Sequence, residues 1–105
     1  MNKAEPILQE IKKAVMEVDP TAEVVLFGSR ARGDFHDESD WDVLVLTEMD
    51  ETNKDFKKKI RDVLYGIELR VGQVISSVVC NKVFWSNKLN GSPLFQEVAK
   101  DGLSL

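Results

Sequence analysis

Four residues in two short motifs have the most evident chemistry in this chain. Gly28-Ser29 ends one apolar run, and Asp40 and Asp42 lie at the start of the next. A Gly-Ser turn can bring backbone amides and a hydroxyl close to a phosphate group. Two carboxylates one residue apart can hold a hard divalent cation such as Mg²⁺, which takes its other ligands from water and phosphate oxygens. Together the motifs predict a site for a metal-bound polyphosphate.

The residues around these motifs support that hypothesis. Side chains alternate along a strand, so Asp40 and Asp42 are expected on one side and Trp41 on the other, in the core. Arg30 and Arg32 follow the turn closely and could neutralise phosphate charge, with Arg30 the better placed in sequence. The site would then act by positioning a phosphate and stabilising its charge.

Hydrophobic periodicity and capping residues predict the elements that must position these motifs. They are helices over 4–18, 53–71, 83–89 and 92–100, a helical turn over 29–32 capped by Ser29, and strands over 22–27, 41–46 and 73–79. The resulting order is α-β-β-α-β-α-α. This order is too short for a doubly wound sheet and indicates the mixed α/β (α+β) class, with a small mixed sheet of three to four strands and helices packed over it.

Length, net charge and the lengths of the apolar runs exclude several classes of function for this chain. A chain of 105 residues is expected to form a single domain over 1–105. The net charge of −4 argues against non-specific binding to nucleic acid. We see no apolar run long enough to span a membrane and no secretory signal, so no membrane association is expected. The single cysteine, Cys80, is expected to be buried, and the expected location is the cytoplasm.

The spacing of the two motifs resembles the signature of a known superfamily. Gly28-Ser29, ten intervening residues and then Asp40-Trp41-Asp42 are similar to the signature of the DNA polymerase beta-like nucleotidyltransferases. At this length the chain resembles the minimal nucleotidyltransferases within that superfamily. The resemblance covers the chain from the first helix to the third strand, and it implies the nucleotidyltransferase fold.

The resemblance also implies an activity, a cofactor and partners. It implies Mg²⁺-dependent transfer of a nucleoside monophosphate from an NTP, with ATP favoured, to an acceptor that is expected to be a protein. By the same analogy, Gly28, Ser29 and Arg30 would bind the nucleotide, while Asp40 and Asp42 would be catalytic and bind the metal. Many minimal members pair with HEPN-domain toxins in toxin–antitoxin systems, and some add AMP to that partner. A HEPN-domain partner and a homodimer are therefore both expectations.

The third strand departs from the superfamily pattern. That strand usually supplies a third carboxylate, whereas 73–79 contains no acid, and Ser76 or Ser77 is expected in its place. A hydroxyl has neither the charge nor the basicity of a carboxylate. Glu68 is the nearest acid, but it is expected on a solvated helix face. The alternative hypothesis is therefore a weak or inactive member that neutralises a HEPN-domain toxin by binding alone.

Two further groups of residues allow more than one interpretation. His36 lies in an acidic loop and could bind a metal, but a solvated loop histidine is favoured because the chain has no second histidine. In the same loop Asp34 is expected to cap or to pair with an arginine. An apolar set in the last third of the chain could pack over the sheet or form a docking surface; its members are Phe84, Trp85, Leu94, Phe95 and Val98.

Overall fold

The computed structural model describes residues 5–105, and in these residues four strands form one sheet. The elements in chain order are α1 (Glu5–Val18), β1 (Glu23–Phe27), α2 (Ser29–Arg32), β2 (Trp41–Thr47), α3 (Lys54–Val71), β3 (Ile75–Asn81), α4 (Lys82–Asn87), α5 (Pro93–Asp101) and β4 (Leu103–Ser104). The strands lie side by side in the order β3-β2-β1-β4. β1 is antiparallel to both of its neighbours, and β2 and β3 are parallel.

The sheet lies between two layers of helices, and β2 is its most buried strand. Trp41, Val43 and Val45 pack with α1 and α3, while Leu44 packs on the opposite side with Trp85 of α4. Burial of each such side chain contributes about 1.5–3 kcal/mol, so β2 is held firmly on both faces. Trp41 is 3% exposed, which confirms the prediction that it points into the core.

The connection α3 makes the parallel pairing of β2 and β3 possible, because parallel neighbours need a long crossover. Asn53 caps its start by accepting a hydrogen bond from the Phe56 amide at 3.0 Å. Gly72 ends it with a φ of 73°, a left-handed conformation that glycine adopts without strain. The predicted end at residue 71 is confirmed, and the helix starts at Lys54, one residue after the predicted start, because Asn53 is the cap.

The structure confirms the mixed α/β class and corrects several boundaries. β2 continues to Thr47, β3 runs over Ile75–Asn81 rather than 73–79, and α4 runs over Lys82–Asn87 rather than 83–89. The strand β4 was not predicted, because two residues are too few for a hydrophobic period; it exists through backbone pairing with Val25 and Leu26. The predicted first helix included residue 4, which lies outside the described residues.

The apolar set in the last third belongs to the core. Trp85 is 7% exposed, and the other four members pack partly buried around Phe27 and Leu44. The rings of Trp85 and Phe95 lie 5.2 Å apart. Cys80 joins the same cluster, as predicted, and burial raises the pKa of its thiol to about 11. Among residues 5–105, no helix has the length and apolar character to cross a membrane.

Candidate active site

The β1–β2 pairing brings the two sequence motifs together. Its register places Phe27, the last residue of β1, opposite Asp42, so the Gly28 turn lies against the Asp42 side chain. A Cβ atom built on Gly28 would lie 3.1 Å from Cγ of Asp42 and closer still to its Oδ2. The backbone of Gly28 also has a φ of 75°. Only glycine satisfies both conditions, so this contact depends on the residue type.

The helical turn α2 begins directly after Gly28, and its capping differs from the prediction. Gly28 is the capping residue, and its carbonyl accepts from the amides of Ala31 and Arg32, both at 3.1 Å. Ser29 is the first helical residue and makes no capping bond, so the predicted Ser29 cap is wrong. The reason is that a φ of 75° requires glycine at the capping position. Within residues 5–105, the Ser29 hydroxyl and amide have no hydrogen-bond partner and stay available for a ligand.

The two aspartates form a negatively charged pair at the start of β2. Asp40 is exposed just before the strand, and Asp42 is half-buried within it. Burial raises the pKa of Asp42, with the neighbouring charges of Asp40 and Glu97 adding to it and that of Arg32 opposing it. A divalent cation would relieve this repulsion. In the described part of the chain no cluster of three His, Cys, Asp or Glu could hold a metal, so a cation here needs ligands from substrate and water.

The β2–β3 register shows which serine stands beside Asp42. Asp42 pairs with Ser76, whereas Ser77 pairs with Val43. Paired residues of neighbouring strands project from the same face, so Ser76 shares the face of Asp42 and Ser77 projects from the other. Ser76, rather than Ser77, therefore stands beside Asp42 on the strand from which the superfamily resemblance implies a third carboxylate.

Glu68 has a structural contact that the sequence pattern did not indicate. Its carboxylate accepts a hydrogen bond from the Ile75 amide at 2.7 Å, at the start of β3, and the side chain is half-buried. The expectation of a solvated helix face is therefore wrong. Because Ile75 precedes Ser76, this bond helps to hold β3 in register beside Asp42.

The two arginines after the turn take different directions. The Arg30 guanidinium lies over the rings of Phe35 and Trp41 and donates to backbone carbonyls, so these contacts direct it to the loop after α2 rather than to Gly28. Arg32 is close enough to Asp42 to oppose the rise in its pKa. Arg32 is thus the arginine whose charge acts on Asp42.

Arg32 also links α2 to α5. It lies 3.2 Å from Asp34, which confirms the predicted arginine partner of that residue, and 3.5 Å from Glu97. Asp101 follows at 4.0 Å. Nothing near the motifs in sequence indicates Glu97, because it lies 65 residues after Arg32. His36 accepts a hydrogen bond from the Glu38 amide at 3.2 Å, a local contact within the loop.

A protein-family model for the nucleotidyltransferase domain matches residues 8–94. The match covers most of the chain, including both motifs and all of β3. The chain belongs to the nucleotidyltransferase domain family. Membership of this family implies an NTP substrate, and domains of this family generally use divalent metal ions. The paired aspartates of this nucleotidyltransferase could supply two ligands to such an ion, and water and substrate would supply the others.

Two proteins from Methanocaldococcus jannaschii are similar to this chain in sequence. The candidate protein adenylyltransferase MJ0141 is 38% identical over 78 residues, which are 72% of this nucleotidyltransferase and 78% of the relative. A second candidate protein adenylyltransferase, MJ0604, is 36% identical over 69 residues, or 66% of this chain and 63% of the relative. The aligned segment thus spans just under two thirds of the second relative.

Proposed function

We propose that the chain transfers AMP from Mg²⁺-bound ATP to a hydroxyl group of a protein. The contact between the Gly28 turn and the Asp42 carboxylate carries this proposal, because it joins a phosphate-binding turn to a metal-binding acid. The names of both relatives favour adenylyl transfer to a protein. ATP as the donor and a HEPN-domain protein as the acceptor are finer expectations of the same proposal.

Each residue of the site has one part in the proposed reaction. The free amide and hydroxyl of Ser29, beside Gly28, would bind the triphosphate, and Asp40 and Asp42 would hold Mg²⁺. Mg²⁺, when bound, neutralises charge on the phosphates. Arg32, rather than Arg30, would supply the side-chain cation, because Arg32 is the one that acts on Asp42.

The order of the strands suggests where the acceptor enters. The triphosphate would lie on the β1 side of Asp42, and displacement at phosphorus requires the attacking and leaving oxygens to be in line. The acceptor hydroxyl would therefore approach from the β3 side, over the exposed Ser76. Its oxygen bonds to the α-phosphorus, the bond to the bridging oxygen breaks, pyrophosphate leaves, and the hydroxyl proton passes to water.

Ser76 also favours a second candidate function. Without a third acid beside Asp42, the domain could neutralise a HEPN-domain toxin by binding alone. The two functions differ in whether Asp40 and Asp42 are needed. Neutralisation by contact should survive their replacement, whereas neutralisation by adenylylation should not.

The deciding experiment uses ATP labelled in either the α- or the γ-phosphate. The chain is purified with a co-expressed HEPN-domain partner and incubated with Mg²⁺ and each label. Label from the α-phosphate alone should enter the partner, and the Asp40→Asn and Asp42→Asn variants should transfer none. Transfer of γ-label, or equal labelling by the variants, would overturn the proposal. Unlabelled but neutralised partner would establish the binding function instead.

Arg32→Ala is expected to weaken ATP binding about 10-fold, because a charge-assisted bond to phosphate contributes about 1.5 kcal/mol or more. Isothermal titration with a non-hydrolysable ATP analogue and Mg²⁺ measures this. Arg70→Ala is the matched control, since Arg70 also pairs with a glutamate, Glu10, at 2.8 Å, but between α1 and α3. Equal binding by the two variants would remove Arg32 from the nucleotide site.

Ser76→Asp is expected to tighten metal binding about 10-fold, because it adds a third carboxylate on the face of Asp42 and ligand charge sets cation affinity. Titration with Mn²⁺, followed by its paramagnetic resonance signal, gives the affinity without nucleotide. Ser77→Asp is the control, since its carboxylate would project from the opposite face. If both variants gain equally, the effect is one of net charge and the assigned register has no part in it.

A further inference from the structure

Arg30 makes four contacts to the loop that joins α2 to β2 and one to Trp41, the first residue of β2. Its guanidinium carbon lies 4.5 Å from the ring centre of Phe35 and 4.2 Å from that of Trp41. Nη2 donates to the carbonyl of Asp37 at 3.2 Å and to that of Ser39 at 3.0 Å. Nε donates to the Ser39 carbonyl at 3.3 Å. The side chain therefore contacts the loop at its middle and at its β2 end.

These contacts surround Asp40 in sequence. Ser39, which precedes it, accepts two bonds from Arg30, and Trp41, which follows it, stacks on the same guanidinium. Asp40 itself is exposed and lies before the first residue of β2, so strand pairing does not hold it. Within residues 5–105 its carboxylate makes no hydrogen bond or ion pair. Arg30 thus contacts the backbone carbonyl before Asp40 and the side chain after it, and the Ser39 hydroxyl, which accepts from the His36 amide at 2.9 Å, adds a local bond within the loop.

We propose that Arg30 is a positioning residue that locks the 33–40 loop and thereby aims the Asp40 carboxylate at the metal beside Asp42. The inference rests on the proposed function and adds a residue to it. Arg30 begins at the phosphate turn, directly after Ser29, so the lock also joins the phosphate-binding and metal-binding halves. A residue that orients a metal ligand commonly changes metal affinity 10- to 100-fold when it is replaced, roughly as for other outer residues of metal sites.

The geometry requires an arginine. A guanidinium is planar and carries donors on three nitrogens, so it can stack on two rings while it bonds to two carbonyls. A lysine ammonium keeps the charge, but it has no plane to stack and no fixed fork of donors. Arg30→Lys therefore separates positioning from charge: a phosphate-neutralising role tolerates lysine, and a positioning role does not.

The experiment measures Mn²⁺ affinity by paramagnetic resonance, without nucleotide, and amide hydrogen exchange over residues 33–40 in the full chain. Arg30→Lys is expected to bind Mn²⁺ about 10-fold more weakly and to exchange these amides faster, with little change in melting temperature. Arg61→Lys, at an exposed position of α3, is the matched control and should leave both measurements unchanged. Arg30→Ala serves as a second variant; if it fails to fold, Arg30→Lys still decides.

Each other outcome overturns the inference. If Arg30→Lys leaves Mn²⁺ affinity and loop exchange unchanged, Arg30 does not position Asp40. If it weakens binding of the ATP analogue alone, Arg30 contacts phosphate instead. Failure of the proposed function gives a different result, because the wild-type chain and Asp42→Asn would then bind Mn²⁺ equally. Amide exchange of the loop in Arg30→Lys is measured without metal, so it tests the positioning role separately.

Discussion

Asp42→Asn is expected to abolish nucleotidyl transfer and to raise the melting temperature of the metal-free protein. Loss of a metal ligand removes several kcal/mol of charge stabilisation, so transfer should fall by about 100-fold or more. The stability gain has a separate origin. Burial, with the charges of Asp40 and Glu97, raises the pKa of Asp42, so its ionised form is less favourable in the folded chain than in the unfolded chain. The neutral amide removes that penalty.

The size and pH dependence of this gain can be measured by thermal unfolding. The gain is expected as a small rise in melting temperature, because solvent partly screens the half-buried Asp42 carboxylate. The pKa of Asp42 is higher in the folded chain than in the unfolded chain. The destabilisation caused by its ionised form therefore develops as pH rises from about 4 and is complete at pH 7. The difference between wild type and variant should therefore vanish below about pH 3.5.

Asp62→Asn is the control variant, for which a loss of stability is expected instead of a gain. Asp62 is exposed on α3 and pairs with Lys58 at 2.7 Å, so its amide variant should be slightly less stable than the wild type and keep full activity. Metal should then stabilise the wild type and Asp62→Asn, but not Asp42→Asn. A lower melting temperature for metal-free Asp42→Asn at pH 7 would contradict the electrostatic account.

The proximity of Gly28 and Asp42 could be predicted from the sequence. Gly28 follows β1, Asp42 lies at the start of β2, and one short loop joins the two strands. Neighbouring strands of this kind usually pair, and pairing sets the turn of one against the first residues of the other. The capping of α2 could not be predicted in the same way. Serine is the commoner capping residue, and only the backbone conformation shows that Gly28 takes that position.

Three features of the site needed the structure because they depend on register or on distant contacts. β3 is apolar on both faces, so its pattern does not tell Ser76 from Ser77. Arg30 and Arg32 are two residues apart on a helical turn and must diverge, but the direction of each depends on where the turn begins. Glu97 comes from α5, and no local pattern links it to Asp42.

Gly28→Ala is expected to reduce transfer and Mn²⁺ affinity about 100-fold, although it adds only one methyl group. The new Cβ would lie 3.1 Å from Cγ of Asp42, so the carboxylate must move away from the turn. Displacement of a reacting group by about 1 Å can cost roughly 100-fold in rate. With a φ of 75° and a ψ of −160°, Gly28 lies in a region that almost only glycine adopts, so any residue with a Cβ adds about 1–3 kcal/mol of backbone strain.

Gly72→Ala separates the strain from the contact. Gly72 has nearly the same φ, 73°, and a Cβ there would meet nothing within 4 Å. Gly72, with a ψ of 24°, lies in the left-handed helical region, whereas Gly28, with a ψ of −160°, lies in a region that almost only glycine adopts. Gly72→Ala should therefore lose about 1–2 kcal/mol of stability in denaturant unfolding and Gly28→Ala at least as much, and only Gly28→Ala should lose metal binding and transfer. If Gly72→Ala impairs transfer as strongly, the loss follows from stability alone. If Gly28→Ala binds Mn²⁺ like the wild type, the Asp42 carboxylate does not hold the metal from its place against the turn.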